Sequence, residues 1–348
     1  MTLLEKVFGF DPKYGGRAIM MIGRMGTRKT TILRAYAEAA LADKVPVIWR
    51  ARDFRDQWHL IPSDKTVLVP EGSKVSFWEI PNGTMDRREI SPKVREFAST
   101  EDLLHLLGDG LNVLVEPNLP RPWLAVWWVY FLEMLAKREN YPSMRKYPRM
   151  RVCFDEILDV FPSSTSQKTD AYSALMPNFA SKFYEIRRSG VDLMMVGHAS
   201  GDIHYDIRGS FTGIIYLHGS RAVQGWRVTD RALKSLLPGH AILELEGRFV
   251  EVPLHLPDNR QPSSFVSYAR STDYWVPDEG FKDGAPRLLD NRRDLLKKYR
   301  LWPEPRKVRI EKGTPRSQEK GEGIPPVNSS KITRKGGKKA APRAGRDG

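Results

Sequence analysis

Ten consecutive residues carry the densest chemistry of the chain: Ile22-Gly23-Arg24-Met25-Gly26-Thr27-Arg28-Lys29-Thr30-Thr31. Successive amides of such a loop, together with a helix start, present partial positive charge to phosphate. In the layout G-x-x-x-x-G-K-[ST], the lysine reaches the β- and γ-phosphates of a nucleotide and the hydroxyl holds Mg²⁺. Here those residues are Lys29 and Thr30. Gly23, Arg24, Met25, Gly26, Thr27, Arg28, Lys29, Thr30 and Thr31 therefore form a candidate ATP-binding loop. One position departs from the pattern: Arg28 stands where the second glycine belongs. Its side chain either points outward, adds charge to the site, or marks a weakened hydrolase.

A second segment supplies the complementary acids. Met150-Arg151-Val152-Cys153-Phe154 is a short apolar run that ends in Asp155-Glu156. This is the Walker B pattern, in which the first acid belongs to the Mg²⁺ shell and the second polarises the attacking water. Asp155 is thus a candidate metal ligand beside Thr30, and Glu156 a candidate catalytic base. The alternative is a solvated acidic strand end.

These groups need elements to hold them. Ala18–Ile22 reads as a buried strand and Ile32–Leu41 as a helix, so the phosphate loop joins strand to helix. Further strands are expected at 45–49, 66–69, 75–80, 112–117, 191–196, 213–218, 240–245 and 248–253. Helices are expected at 122–137 and at 171–188, the second interrupted near Pro177. Strands alternating with helices argue for an α/β fold with a mainly parallel sheet flanked by helices. The residues at about 62–100 suggest a small β insertion. Arg50 to Trp58, where Arg and Trp interleave after a strand, could face a ligand or form a solvent-facing turn. The expected organisation is a lead-in at 1–16, an ATPase domain at 17–258, an extension at 259–303 and a disordered basic tail at 304–348.

Composition narrows the class. The chain has 348 residues, 41% hydrophobic and 28% charged, which suits a globular protein. No apolar run reaches the roughly 20 residues of a membrane span, so no integral membrane segment is expected. The aromatic stretch Trp123–Leu132 is either a buried helix or a surface that docks on another subunit or a membrane protein. The one cysteine, Cys153, excludes an intrachain disulfide, and no zinc spacing is present. A cytoplasmic, or virion-associated, location is expected. The net charge is +14, and residues 291–348, with 18 basic and 6 acidic residues, carry +12 of it. Such a tail cannot bury enough apolar surface to fold alone. It suits phosphate contacts with nucleic acid, or serves solubility or a protein partner.

A third segment brings a resemblance into view. Arg187-Arg188-Ser189-Gly190 leads into the apolar run Val191–Val196 and then Gly197-His198. The order of phosphate loop, Asp-Glu strand and Arg-Gly-strand resembles the FtsK–HerA group of P-loop ATPases. Asp155–Pro162 is similar to the Walker B region of Zot-like phage-assembly ATPases, and Leu237–Leu243 to the closing Pro-Gly turn and strand of HerA-like members. The resemblance spans about residues 17–255. It implies a RecA/ASCE-like P-loop NTPase and a ring, often a hexamer, that moves or packages double-stranded DNA through its pore, as in a virus or mobile element. It also implies that His198 stands where the group usually has the Gln of a Thr-Gln pair, as the γ-phosphate sensor. An arginine finger would come from a neighbouring subunit, with Arg188 the first candidate and Arg187, Arg208 and Arg221 the others. The alternatives are a Zot-like assembly or secretion ATPase acting on protein partners, with the aromatic helix as its docking surface, and a nucleotide-binding switch with little turnover.

Overall fold

The computed structural model describes residues 15–52, 55–119, 121–157, 160–161, 170–198, 205–223, 225–245, 247–254 and 263–270, with two short segments at 276–277 and 286–287. The chain divides into two units, residues 1–302 and 303–348. The second unit, the lead-in up to residue 14 and the polar loop 162–169 lie outside the described residues.

The centre is a ten-stranded sheet. Its strands are β1 (Ala18–Ile22), β2 (Val47–Arg50), β3 (Lys65–Pro70), β6 (Val94–Phe97), β7 (Leu111–Leu114), β8 (Met150–Phe154), β9 (Val191–Gly197), β10 (Gly213–Leu217), β11 (His240–Leu245) and β12 (Arg248–Pro253). Their spatial order is β12-β11-β10-β1-β9-β8-β2-β7-β3-β6. All neighbours from β10 to β6 run parallel, and β11 and β12 close one edge as an antiparallel hairpin. Strands buried on both faces read as continuous apolar runs, which is why β1, β8 and β9 lack polar alternation. The period of two still sorts their side chains. Ala18, Met20 and Ile22 join one core layer, while Ile19 and Met21 join the other.

Helix α1 (Lys29–Ala42) covers the second layer with Ile32, Leu33, Tyr36, Ala37 and Ala40. That spacing is the apolar stripe of a half-buried helix, and its alanines favour helix intrinsically. The first layer holds α2 (Thr100–Leu106), α3 (Arg121–Ala136), α4 (Asp170–Arg188), α5 (Tyr205–Arg208) and α6 (Asp230–Ser235). Three aromatic residues of α3 belong to the core: Trp127, Trp128 and Phe131 are fully buried. Trp128 meets Phe154 of β8 with ring centroids 4.6 Å apart. The indole N–H groups are satisfied inside, Trp127 by Thr100 and Trp128 by Glu116. Losing such a ring to alanine typically costs about 3–5 kcal/mol. The docking-surface reading of this helix is therefore corrected: those rings are spent on the sheet. Helix α4 is also corrected, because it continues through Pro177 without a break. A proline removes one intrahelical bond, and α4 is anchored beyond it by Phe179, Phe183 and Ile186, all fully buried.

The β-rich stretch at about 62–100 divides between two sheets. β3 and β6 extend the main sheet. β4 (Val75–Pro81) and β5 (Arg88–Ile90) form a separate antiparallel sheet, completed by β13 (Ser264–Arg270) from far along the chain. Phe77, Val266 and Tyr268 pack this small sheet into the same core layer as α1. Cys153 is buried there too, and burial pushes its thiol up to about 12.

Candidate nucleotide site

The parallel strands β1, β9, β8 and β2 lie side by side, so their C-terminal ends open at one edge. Open α/β sheets place ligands at that edge. The sequence puts its chemistry there in four pieces: the loop after Ile22, Gly197-His198, Asp155-Glu156 and the turn after Arg50.

The loop leaves β1 at Gly23. A Cβ on Gly23 would meet Thr27 Oγ1 at 2.5 Å and Leu217 Cβ at 2.8 Å, so this close approach needs glycine. Gly26 follows at φ 81°, and Thr27 donates both its amide and its hydroxyl to Arg24 O, closing the turn. Arg28 then adopts φ 66°, in the left-handed region, directly before α1. The backbone therefore keeps the conformation a glycine would supply, and the arginine side chain is exposed. Arg24 and Met25 are exposed as well, whereas Thr30 and Thr31 are half-buried at the helix start. Lys29 is buried inside the loop. Its ammonium donates to Gly23 O at 2.7 Å, to Arg24 O at 3.0 Å and to His198 Nδ1 at 3.1 Å. Burial lowers the Lys29 pKa against the opposing pull of Glu156 and Asp155, and the nearby Arg52 charge lowers it further.

Thr30 Oγ1 donates to Asp155 Oδ2 at 3.0 Å. A hydroxyl and a buried carboxylate thus converge as two hard oxygen donors, the set that suits Mg²⁺ with phosphate completing the shell. Glu156 follows at φ 74°. Its Oε2 lies 2.8 Å from His198 Nε2. An ammonium can only donate, so Nδ1 of His198 accepts from Lys29 and the ring proton sits on Nε2, facing Glu156. His198 thereby links the loop lysine to the acid.

A buried network beneath these groups has no local signature. Arg50, at the end of β2, grips Glu116 through Nε at 2.5 Å and Nη2 at 3.1 Å. Its Nη1 donates to Asp155 O at 3.2 Å and Glu156 O at 2.8 Å. The guanidinium holds both carbonyls of the acidic turn, and Glu116 is itself fixed by Trp128 Nε1 at 2.6 Å. Removing one partner of such a buried pair typically costs about 3–5 kcal/mol. The solvent-facing reading of 50–58 is corrected for Arg50, Asp56 and Trp58, all of which are buried. Asp56 accepts from Trp49 Nε1, Arg52 N and Gln57 N at 2.9, 2.7 and 2.7 Å. Among the described residues of this turn, Arg52 reaches the side chain of Asp155, with Nη1 3.5 Å from Oδ2. Glu116 went unassigned, although an acid at the end of an apolar strand run is the one signal that could have marked it.

Lys29, Thr30, Asp155, Glu156 and His198 therefore come together, with Gly23 to Thr31 wrapped around them. Arg188 does not join them. It ends α4 before β9 begins, and β9 spans seven residues to His198, about 23 Å at strand rise. It lines a cleft of about 530 Å³ with Arg145, Tyr147 and Glu185. Arg187 packs on the Tyr184 ring, and Arg208 lines a different cleft with Trp226 and Arg227.

No family model matches the sequence, and no curated protein matches it. Solved structures are similar in outline. The DNA-packaging ATPase B204 from Sulfolobus Turreted Icosahedral Virus is 13% identical, with a TM-score of 0.44 over 70% of this chain and 100% of that one. B204 from Sulfolobus turreted icosahedral virus 2, in complex with ATP-gammaS, is 13% identical, with a TM-score of 0.41 over 69% and 98%. The plasmid coupling protein TrwB with a non-hydrolysable ATP analogue is 11% identical, with a TM-score of 0.42 over 72% and 88%. At TM-scores below 0.5 these likenesses assign no role to any residue. The chain's own topology is more specific. Its phosphate-loop strand β1 lies between β10 and β9, and β9 separates it from the acidic strand β8. The fold is a P-loop NTPase fold: a mainly parallel sheet with helices on both faces and the phosphate loop at its C-terminal edge.

Proposed function

We propose that this chain is an ATP-hydrolysing motor that moves double-stranded DNA, of the packaging or transfer type. The observation that carries the hydrolytic part is the convergence of Lys29, Thr30, Asp155, Glu156 and His198 at one sheet edge. The loop amides and the α1 N-terminus bind phosphate oxygens, and Lys29 neutralises charge on the β- and γ-phosphates. Thr30 and Asp155 are the residues that would hold Mg²⁺. That ion, when bound, supplies positive charge to the phosphates. Glu156 accepts the proton of the attacking water. His198 shares the glutamate oxygen through Nε2–H, which orients the acid and lets the ring report whether Lys29 is engaged elsewhere.

The DNA part rests on the +12 charge of residues 291–348 and on the FtsK–HerA-like motif order. In this reading the chain forms a homo-oligomeric ring, a hexamer in the resembled group. The nucleotide lies between subunits, and Arg188 of a neighbour is the first candidate for the finger. A second reading, a switch with little turnover, draws on two observations. Arg28 holds a left-handed conformation, and His198 ties Lys29 to Glu156.

Steady-state ATP hydrolysis by the purified chain, with and without double-stranded DNA, separates these readings. Lys29→Ala and Glu156→Gln serve as controls. The expected result is DNA-stimulated turnover, abolished in Lys29→Ala with loss of ATP binding. In Glu156→Gln turnover falls about 100-fold or more with binding retained. Turnover indifferent to DNA would favour an assembly ATPase acting on protein. ATP binding without turnover would favour the switch.

A further inference from the structure

Two arginines rise from the turn after β2, and the structure treats them differently. Arg50 is saturated: both edges of its guanidinium are engaged, by Glu116 on one side and by the carbonyls of Asp155 and Glu156 on the other. Arg52 has one long charged contact, 3.5 Å from Nη1 to Asp155 Oδ2. That oxygen already accepts the Thr30 hydroxyl at 3.0 Å. The Arg52 side chain remains 32% exposed. Its stem is nevertheless fixed, because Arg52 N donates to Asp56 Oδ2 at 2.7 Å and Asp56 is wholly buried. The result is an anchored backbone carrying a loosely held cation at the mouth of the site.

Building on the nucleotide-site reading above, we propose that Arg52 is a phosphate-binding residue supplied in cis. It contacts the terminal phosphate of ATP and distinguishes ATP from ADP. Three observations carry this. Lys29 enters from the loop after β1, whereas Arg52 enters from the turn after β2, beyond β9 and β8. The two cations therefore approach from different sides of the Asp155-Glu156 turn. Arg52 shares an oxygen with the Thr30–Asp155 pair, beside the candidate base, where the attacking water and the breaking bond must lie. Its planar fork suits non-bridging phosphate oxygens better than the single Nη1 contact it makes to Asp155.

The test uses the full chain with Arg52→Gln and Arg52→Lys. Affinities for ADP and for a non-hydrolysable ATP analogue are measured by calorimetry, alongside kcat, KM and thermal melting. The expected result for Arg52→Gln is ADP affinity within about twofold of the parent and analogue affinity weakened about tenfold or more, with reduced kcat and an unchanged melting temperature. Arg52→Lys should recover part of the analogue affinity, because it keeps the charge but not the fork. Equal weakening for both nucleotides, or no change for either, overturns the proposal. Lys29→Ala is run in parallel. If it still binds the analogue normally, the nucleotide-site reading fails. If it loses the analogue while Arg52→Gln does not, only the role of Arg52 fails.

Discussion

Arg28 and Glu156 both occupy left-handed backbone, at φ 66° and 74°. For a residue with a Cβ this costs about 1–2 kcal/mol, and such strain persists where the surroundings over-determine it. Glu156 has that support: Arg50 grips its carbonyl and His198 its carboxylate. Arg28 precedes α1 without a side-chain cap, and its side chain is exposed. The missing glycine therefore leaves the course of the loop intact and stores strain at its end. Arg28→Gly should raise stability by up to about 1 kcal/mol, since relief of the left-handed cost is offset by about 0.5–1 kcal/mol of extra freedom in the unfolded chain. The urea midpoint reads that change, and a nucleotide titration should show affinity unchanged or tighter. A drop in affinity would instead show that the guanidinium takes part in phosphate binding.

Among the elements, the small sheet of β13, β4 and β5 is tied to the residues that follow β2. Asp56 exchanges both backbone hydrogen bonds with Val266 of β13. His59 Nε2 donates to Ser264 Oγ at 2.8 Å, and that hydroxyl donates on to Glu79 at 2.6 Å. Burial lowers the His59 pKa to about 4, against the opposing charge of Glu79. The unfolded chain, with an ordinary histidine pKa of about 6.5, takes up the proton first. Stability is therefore fully present above about pH 6.5 and falls as pH drops toward 4. Urea midpoints at pH 7 and pH 5 should show this fall in the parent chain and a smaller one in His59→Gln. An identical fall in both would assign the pH dependence to other groups. At this scale much was legible in the sequence. The apolar runs predict β1, β8, β9, β10 and the closing hairpin, because strands buried on both faces have little else to contain. The burial of α3 was legible too, since a run of Trp, Phe and Leu too short to span a bilayer reads first as a core helix, and Trp127, Trp128 and Phe131 are buried.

Over the whole molecule, charge is distributed unevenly along the sequence. The first 290 residues carry +2 of the +14, and the basic excess lies near the C-terminus. Removing residues 304–348 should weaken binding to double-stranded DNA and flatten its dependence on salt, because fewer counterions are released per complex. Basal ATP hydrolysis should stay unchanged, since Lys29, Asp155, Glu156 and His198 all lie in the other unit. Binding isotherms from low to moderate salt check this, and an unaltered slope would give the tail a role other than DNA contact.

The residues from Gly23 to Thr31 stand out as a candidate phosphate loop without a structure, because such a loop is built from consecutive amides and its spacing is local. The same holds for Asp155-Glu156 at the end of an apolar run. The contacts that arm and brace these groups are not local. Lys29 meets His198 across 169 positions, Arg52 meets Asp155 across 103, and Arg50 meets Glu116 across 66. Strand order decides all three, and a strand buried on both faces carries no mark of which neighbour it will take. Only the assembled sheet, with β9 and β8 between β1 and β2, made one arginine of the 50–52 turn a buried brace and left the other at the mouth of the site.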